Sequence, residues 1–374
     1  MSTQPDPLAP LREKIDELDH RLVELLNARA RIVVEIGKIK HQSGAPVYAP
    51  DREKVVLERI RNANKQVGGP LPNSCLEAIY RELMSGSFAL EKPLRIAYLG
   101  PQGSFSHLAS VKKFGSSVEH VPVADIAAVF KEVDRGHADL GLVPIENSTV
   151  GGIIESMDAF LENRSLTIIA EVQIAIHSHL LANCRPEEVK TVYSKAEALN
   201  QCRHWLNTTF PQAQRTATTS SSRAAEMAAA QASEGAAAVG STLAAELYNL
   251  KILFSNIEDN PGNVTRFFVI GKEGSGGTGA SPKPTGDDKT SIIFTTVHKS
   301  GALVDVLDVF RRFNINLTNI DTRPSQKRNF EYYFFCDLAG HSDDQNVKSA
   351  LEEARRHCLQ LALLGSFPRA AETL

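Results

Sequence analysis

The sequence predicts a multidomain protein: an all-α N-terminal part, an α/β middle and a ferredoxin-like βαββαβ C-terminal unit. Leu11, Ile15, Leu18, Leu22, Leu25, Ile32, Ile36 and Ile39 follow the three-and-four spacing that marks the seam of packed long helices. From Leu94 onward, short apolar runs alternate with helical stretches, the pattern of α/β architecture. Beyond Gly271 to Lys289, the order is strand, helix, strand, strand, helix, strand. At 374 residues the chain is also too long for one ordinary core.

The first helix covers Leu8 to about Gln42, roughly 50 Å at the usual rise. That is longer than a small domain needs, so its seam is expected to meet a partner chain, making a homodimer or higher homo-oligomer. Ser43-Gly44-Ala45-Pro46 ends it. Pro50 suits the start of a second helix, about Asp51 to Gln66, and Gly68-Gly69-Pro70 precedes a third, about Pro72 to Glu91. Strands are expected at Arg95–Leu99, Leu140–Ile145, Ile168–Ile176, Thr191–Ser194, Ala236–Gly240 and Phe267–Ile270. Gly100 to Ser106 turns into a helix, and Ser221 opens an alanine-rich one. Gly271 to Lys289 is rich in Gly, Ser, Pro and Asp and reads as a flexible linker. The last unit takes strands at Ser291–Val297, Ile315–Asp321, Glu331–Leu338 and Leu359–Leu364, with helices to Phe313 and over Asp343–His357. The expected division is 1–92, 93–271, 272–289 and 290–374.

Composition narrows the function. The formal net charge of −3 argues against nucleic acid as the main partner. No apolar run approaches the ~20 residues of a membrane helix, so no membrane role is expected. Met1 to Pro10 has no basic region followed by an apolar one, so no secretory signal is read there. Cys75, Cys184, Cys202, Cys336 and Cys358 show no paired spacing, which fits a reducing cytoplasm better than a disulfide framework or zinc site. His177 and His179 would share a strand face, but without a nearby ligand pattern no metal is expected.

One charge interrupts the helical seam: Arg29 stands where the spacing calls for an apolar residue. Either a buried salt bridge fixes the register, or an anionic ligand binds there. Lys40 lies at nearly the same helical angle, about 16 Å along the axis, so the two cations suit opposite ends of a dicarboxylate. Arg12 is about 25 Å before Arg29 on a different face; a second chain would have to bring it in. Residues 8–91 resemble the helical chorismate mutase family, through Leu11-Arg-Glu-Lys-Ile15, Val34-Glu-Ile-Gly-Lys38 and Asp51-Arg-Glu53. The resemblance implies an intertwined dimer with two composite sites. In each, Arg29 and the other chain's Arg12 bind the carboxylates, Lys40 reaches the ether oxygen, and Arg52, Glu53 and Ser87 complete the pocket. Ser87 and Glu91 share a helix face. Glu91 stands where several family members have glutamine, and donates a hydrogen bond only when protonated. Such a rearrangement needs no nucleophile, only positioning and charge stabilisation.

The middle part carries two unusual strings. Leu140 to Ile145 delivers Glu146, Asn147, Ser148 and Thr149 ahead of Gly151 and Gly152, a polar cluster at a strand's carboxyl end where α/β sheets bind ligands. The glycines would let backbone approach that ligand. Asn263-Val-Thr-Arg-Phe267 feeds another apolar strand. With Ala97-Tyr-Leu-Gly-Pro-Gln-Gly-Ser-Phe105 and Ser194 to Cys202, these resemble prephenate dehydratase over residues 94–271. The resemblance implies two α/β lobes of the type II periplasmic-binding-protein kind with substrate in the cleft. Thr265 would be catalytic at the leaving hydroxyl, tuned by Glu146 or another neighbour, since threonine alone is a poor acid. Asn147, Ser148, Ser194 and Gln201 would line the site. Arg266 is read as a carboxylate partner or a structural ion pair, and Phe267 as core or site.

Residues 290–365 resemble the ACT domain fused to dehydratases, through Gly301-Ala302-Leu303-Val304 and Asp321-Thr322-Arg323-Pro324, the latter with two conservative departures. That family binds phenylalanine at a dimer interface near these segments. Together the resemblances imply a bifunctional chorismate mutase–prephenate dehydratase acting on chorismate and prephenate, inhibited by L-phenylalanine, with no metal or organic cofactor. The alternatives are a non-catalytic amino-acid sensor, which the set Arg12, Arg29, Lys40 and Thr265 disfavours, and an arogenate dehydratase.

Overall fold

The computed structural model describes residues 6, 8–43, 45–272, 281–324 and 332–374. Three helices open the chain: α1 (Ala9–Ser43), α2 (Pro50–Val67) and α3 (Asn73–Glu91). Helix α2 ends where Gly68 adopts φ +64° and its N–H returns to the Asn64 carbonyl, a left-handed cap that glycine enters freely. Helix α1 packs on α3 but leaves Leu11, Ile15, Leu18, Leu22, Leu25, Ile32 and Ile39 each more than half exposed. A row of this length uncovered on one chain is an unfinished interior.

The first α/β lobe is built from β1 (Arg95–Leu99), α4 (Phe105–Phe114), β2 (Glu119–Val123), α5 (Ile126–Asp134), β3 (Leu140–Asn147), β4 (Gly151–Gly152), α6 (Ile154–Glu162) and β5 (Leu166–Ala175). The second follows with β6 (His179–Ala182), β7 (Thr191–Lys195), α7 (Ala196–Gln201), α8 (Arg203–Thr209), β8 (Gln214–Thr218), α9 (Ser221–Ala230), β9 (Ala236–Gly240), α10 (Thr242–Leu247) and β10 (Lys251–Phe254). Strand β11 (Val264–Lys272) then returns to the first lobe. Its sheet runs β2-β1-β3-β11-β5, with β4 beside β3, and the second lobe's runs β10-β6-β9-β7-β8. The chain therefore crosses between lobes twice, after β5 and before β11. Glu258 joins the crossings: His177 Nδ1 lies 2.7 Å from one carboxylate oxygen and the Ser178 N–H donates to the other.

The C-terminal unit comprises β12 (Asp288–Thr295), α11 (Ala302–Arg312), β13 (Leu317–Pro324), β14 (Tyr332–Ala339), α12 (Gln345–Ala354) and β15 (Gln360–Pro368), with sheet order β13-β14-β12-β15. This is the expected βαββαβ order. The ends of the expected linker behave differently from its composition. Lys272 closes β11, and Asp288 and Lys289 are buried in β12. Lys54 of α2 donates to the Asp287 carbonyl, and His341 Nε2 sits 3.0 Å from the Pro282 carbonyl. Residues 273–280 lie outside the described residues.

The three parts share interiors. Ile293, Phe335, Leu364 and Phe367 join the same apolar cluster as Phe130, Phe160, Phe268 and Ile270 of the first lobe. Tyr48, between α1 and α2, is buried among Phe88, Phe114 and the opposite face of that lobe's sheet. Strand β15 lies so close to β5 that a Cβ on Gly365 would strike the Ile168 backbone. Gly365→Ala should therefore cost about 1–3 kcal/mol by forcing the two strands apart. Thermal unfolding checks this, and an unchanged midpoint would rule out the tight β15–β5 contact.

Candidate functional site

Two groups of expected site residues come together. In the helical part, Arg29 Nη1 donates to Ser87 Oγ at 3.0 Å, and Ser87 in turn donates to the Leu83 carbonyl. One turn further along α3, and about three turns along α1, Lys40 pairs with Glu91 at 3.0 Å and also donates to the Val47 carbonyl. Two cations from α1 thus face two polar residues of α3. Arg12 stands apart at the far end of α1, paired with Asp6. Arg52 is exposed, while Glu53 accepts from Tyr48 and from Lys113 of α4 at 2.8 Å. Neither shares a hydrogen bond or ion pair with Arg29, Lys40, Ser87 or Glu91.

In the α/β part, the two unusual strings are strand neighbours. Strand β3 runs on through Asn147, and β11 pairs antiparallel to it with Thr265 opposite Asn147 and Arg266 opposite Glu146. Paired residues share a sheet face and consecutive ones alternate. Thr265 and Asn147 therefore look one way, Arg266 and Glu146 the other. Asn147 Nδ2 donates to Thr265 Oγ1 at 2.8 Å and to Asn263 Oδ1 at 2.7 Å. Its carbonyl accepts from the Thr149 and Val150 N–H groups, which fixes which way the amide points. Asn263 Nδ2 donates to Gln201 Oε1 of the second lobe, and Ser148 Oγ accepts from the Val264 N–H. Thr265 and Asn263 are buried at the junction of the lobes.

Several expected roles change. Ser194 does not line the cleft: it is fully buried, and its hydroxyl donates to the Val239 carbonyl across the sheet. Phe267 is core, one residue past Arg266 on the α4 side. Arg266 is a structural ion pair, held by Glu171 at 2.8 Å and by Asp337, with Glu146 at 3.7 Å. Glu146 thus stands away from Thr265, whose partner is Asn147. Asn263 was missed as a site residue. Its signal was its place two residues before Thr265, the strand period that returns a side chain to the same face. His177 turns to Glu258, whereas His179 accepts from the Asn256 N–H. Among the described residues no three His, Cys, Asp or Glu side chains cluster as metal ligands.

The turn Gly100 to Ser104 bridges the lobes. Ser222 Oγ donates to the Gln102 carbonyl, and Ser241 Oγ to the Gly103 carbonyl at 3.0 Å. Gly103, at φ +81°, fits against Ser222 and Ala244, and its N–H donates to His107 Nδ1. His107 stacks on Tyr98, and burial, with His120 nearby, pushes it down to about 4.

In the C-terminal unit Gly301 caps α11 at φ +83°, with Ala302 buried, Leu303 against the core and Val304 exposed. Asp321, Thr322, Arg323 and Pro324 close β13. Arg323 forms a two-pronged pair with Asp158 of α6, both bonds at 2.7 Å, and Asp321 occupies the space where Gly152 would carry a Cβ. No hydrogen bond or ion pair among the described residues joins the Gly301 segment to the Asp321 segment.

This architecture defines a three-part class of protein: a helical unit, a two-lobed α/β unit and a ferredoxin-like module. The family model for chorismate mutase type II matches residues 11–92, that for prephenate dehydratase 96–275, and that for the ACT domain 290–356. A bifunctional chorismate mutase/prephenate dehydratase of Stutzerimonas stutzeri is 41% identical over 98% of this chain and 99% of its own. One from Aquifex aeolicus is 42% identical over 98% and 99%. The prephenate dehydratase of Arthrobacter aurescens, solved with L-Phe, is 31% identical with a TM-score of 0.66 over 74% of this chain and 90% of its own. The chain belongs to the bifunctional chorismate mutase/prephenate dehydratase family.

The state of His107 gives a test. A histidine held neutral in the fold protonates first in the unfolded chain. The contribution of His107 to stability is therefore full above about pH 6.5 and is lost as pH drops toward 4. His107→Asn keeps an acceptor for the Gly103 N–H without that titration. Its thermal midpoint should fall less between pH 7 and 5 than the parent's; equal slopes would exclude His107.

Proposed function

We propose that the two activities are divided between the two polar clusters: the α1–α3 cluster within residues 1–92 and the Thr265 cluster within 93–271. The enzyme rearranges chorismate to prephenate, then removes carbon dioxide and water from prephenate to give phenylpyruvate.

In the first step Arg29 and Lys40 bind the substrate's anionic groups. Lys40, together with Glu91 when protonated, stabilises charge on the breaking ether bond, so the work is positioning and electrostatics. Arg12, and with it the exposed apolar row of α1, is completed by a second copy of the chain, making a homodimer with two composite pockets.

The single observation that carries the second step is the direction of the Asn147 hydrogen bond. Both amide hydrogens of Asn147 are used, one on Asn263 and one on Thr265 Oγ1. Thr265 is therefore the acceptor in that bond and keeps its own hydrogen for the cleft. A hydroxyl polarised in this way donates to the ring hydroxyl as it leaves, while aromatisation drives loss of the carboxylate. Asn263, at the head of β11, and Gln201, from the second lobe, close the polar wall. Thr265→Ala should lower the dehydratase rate by about 100-fold or more and leave the mutase intact, and Arg29→Ala should do the reverse. Separate assays with chorismate and prephenate decide it; a folded variant that loses both activities would refute the two-site reading.

Phenylalanine inhibits the dehydratase through residues 290–374, bound between the Gly301 and Asp321 segments of two chains. What supports this is the docking of Asp321 and Arg323 on β4 and α6, next to the Ser148–Thr149 turn. A cytoplasmic setting fits the five free cysteines. Ile293, Phe335, Leu364 and Phe367 belong to the first lobe's core, so the test is a point variant in the full chain. A Cβ at Gly301 meets nothing nearby, so Gly301→Val obstructs the ligand face rather than the packing, at a backbone cost of about 1–2 kcal/mol. The phenylalanine concentration for half inhibition should rise at least tenfold; no change would move the effector elsewhere.

A further inference from the structure

Strand β11 carries Thr265 on one face and Arg266 on the other, and the Arg266 side is clamped from outside its own domain. Its Nε donates to Glu171 of β5, and its Nη2 to Asp337 of β14 in the C-terminal unit. Lys289 of β12 donates to the same Glu171 oxygen at 2.9 Å, and Ser291 donates to Asp337. The guanidinium also lies 4.7 Å over the Phe268 ring. These four charged side chains are each at least nine-tenths buried, two of each sign, so the set is neutral only when complete. The β3–β11 register shifts between Arg266 and Phe267, where β3 carries an extra residue, Ile145, two before the Asn147 that faces Thr265. An irregularity of this kind re-aims neighbouring side chains.

We propose that Asp337 is a positioning residue of the dehydratase, supplied by the C-terminal unit. By holding the Arg266 guanidinium on the back of β11, it fixes that strand against the bulged end of β3 and so aims the Thr265 hydroxyl at Asn147 and the cleft. Without Asp337, Arg266 shares Glu171 with Lys289, and two buried cations face one anion. Arg266 then turns toward Glu146, its half-exposed neighbour, and the strand end carrying Thr265 follows. The inference rests on Thr265 being the dehydratase residue.

The test is Asp337→Asn in the full chain, which keeps the shape and an acceptor but removes the charge. The dehydratase kcat should fall about 10- to 100-fold, as for a misplacement near 1 Å, with KM for prephenate and the mutase rate little changed. Asp337→Glu should recover part of the loss. In an Arg266→Ala background, Asp337→Asn should add nothing, because its effect passes through Arg266. An unchanged kcat, a parallel loss of both activities, or the same further loss without Arg266 would overturn the proposal. If Thr265→Ala itself left dehydration intact, the site reading would be what failed.

Discussion

The chain leaves the first lobe after β5, builds the whole second lobe, and returns as β11 between β3 and β5. Closing so long a loop costs conformational entropy that only a well-buried partner offsets. The return supplies it: Phe267, Phe268, Val269 and Ile270 are all buried. The register is not free to slip, because a shift of one residue would drive Arg266 into the α4 side of the core and Phe267 onto the charges. The same register sets Asn147 opposite Thr265. The Asn147–Thr265 pairing is thus a by-product of where the strand must lie to bury its apolar half.

Buried charge sits where domains meet. Burial alone would raise the Glu171 carboxyl, yet Arg266 and Lys289 beside it hold it below the ordinary carboxylate range. Partly buried pairs, Lys113 with Glu53 and Arg323 with Asp158, likewise span domains. Such pairs add little to stability relative to apolar packing, but an unmatched member is costly, so they reject misdocked arrangements.

Much of this was legible in the sequence. The seam from Leu11 to Ile39, the βαββαβ order and the two polar strings each follow from local periodicity. Polar edge strands such as Glu119–Val123 and Gln214–Thr218 were not, because only one side of each pairs and their side chains alternate without a strong apolar pattern. Ser194 misled because a hydroxyl at a strand end looks the same whether it faces solvent or a neighbouring carbonyl. The Arg266 network was invisible for a different reason: its members, Glu171, Lys289 and Asp337, come from three separate strands. Asp-Asp-Lys at 287–289 even has the composition of a linker.

The second glycine of the pair at 151–152 has an unexpected employer. Beside a polar turn it suggests room left for substrate, yet the space its missing side chain leaves is filled by Asp321. Gly152 thus answers to the C-terminal unit. A Cβ there would also come within 2.7 Å of Met157 Cε, the flexible tip of a side chain from the lobe itself. Any side chain at 152 would therefore have to evict the Asp321 carboxylate, prising the end of β13 away from the edge of the first lobe.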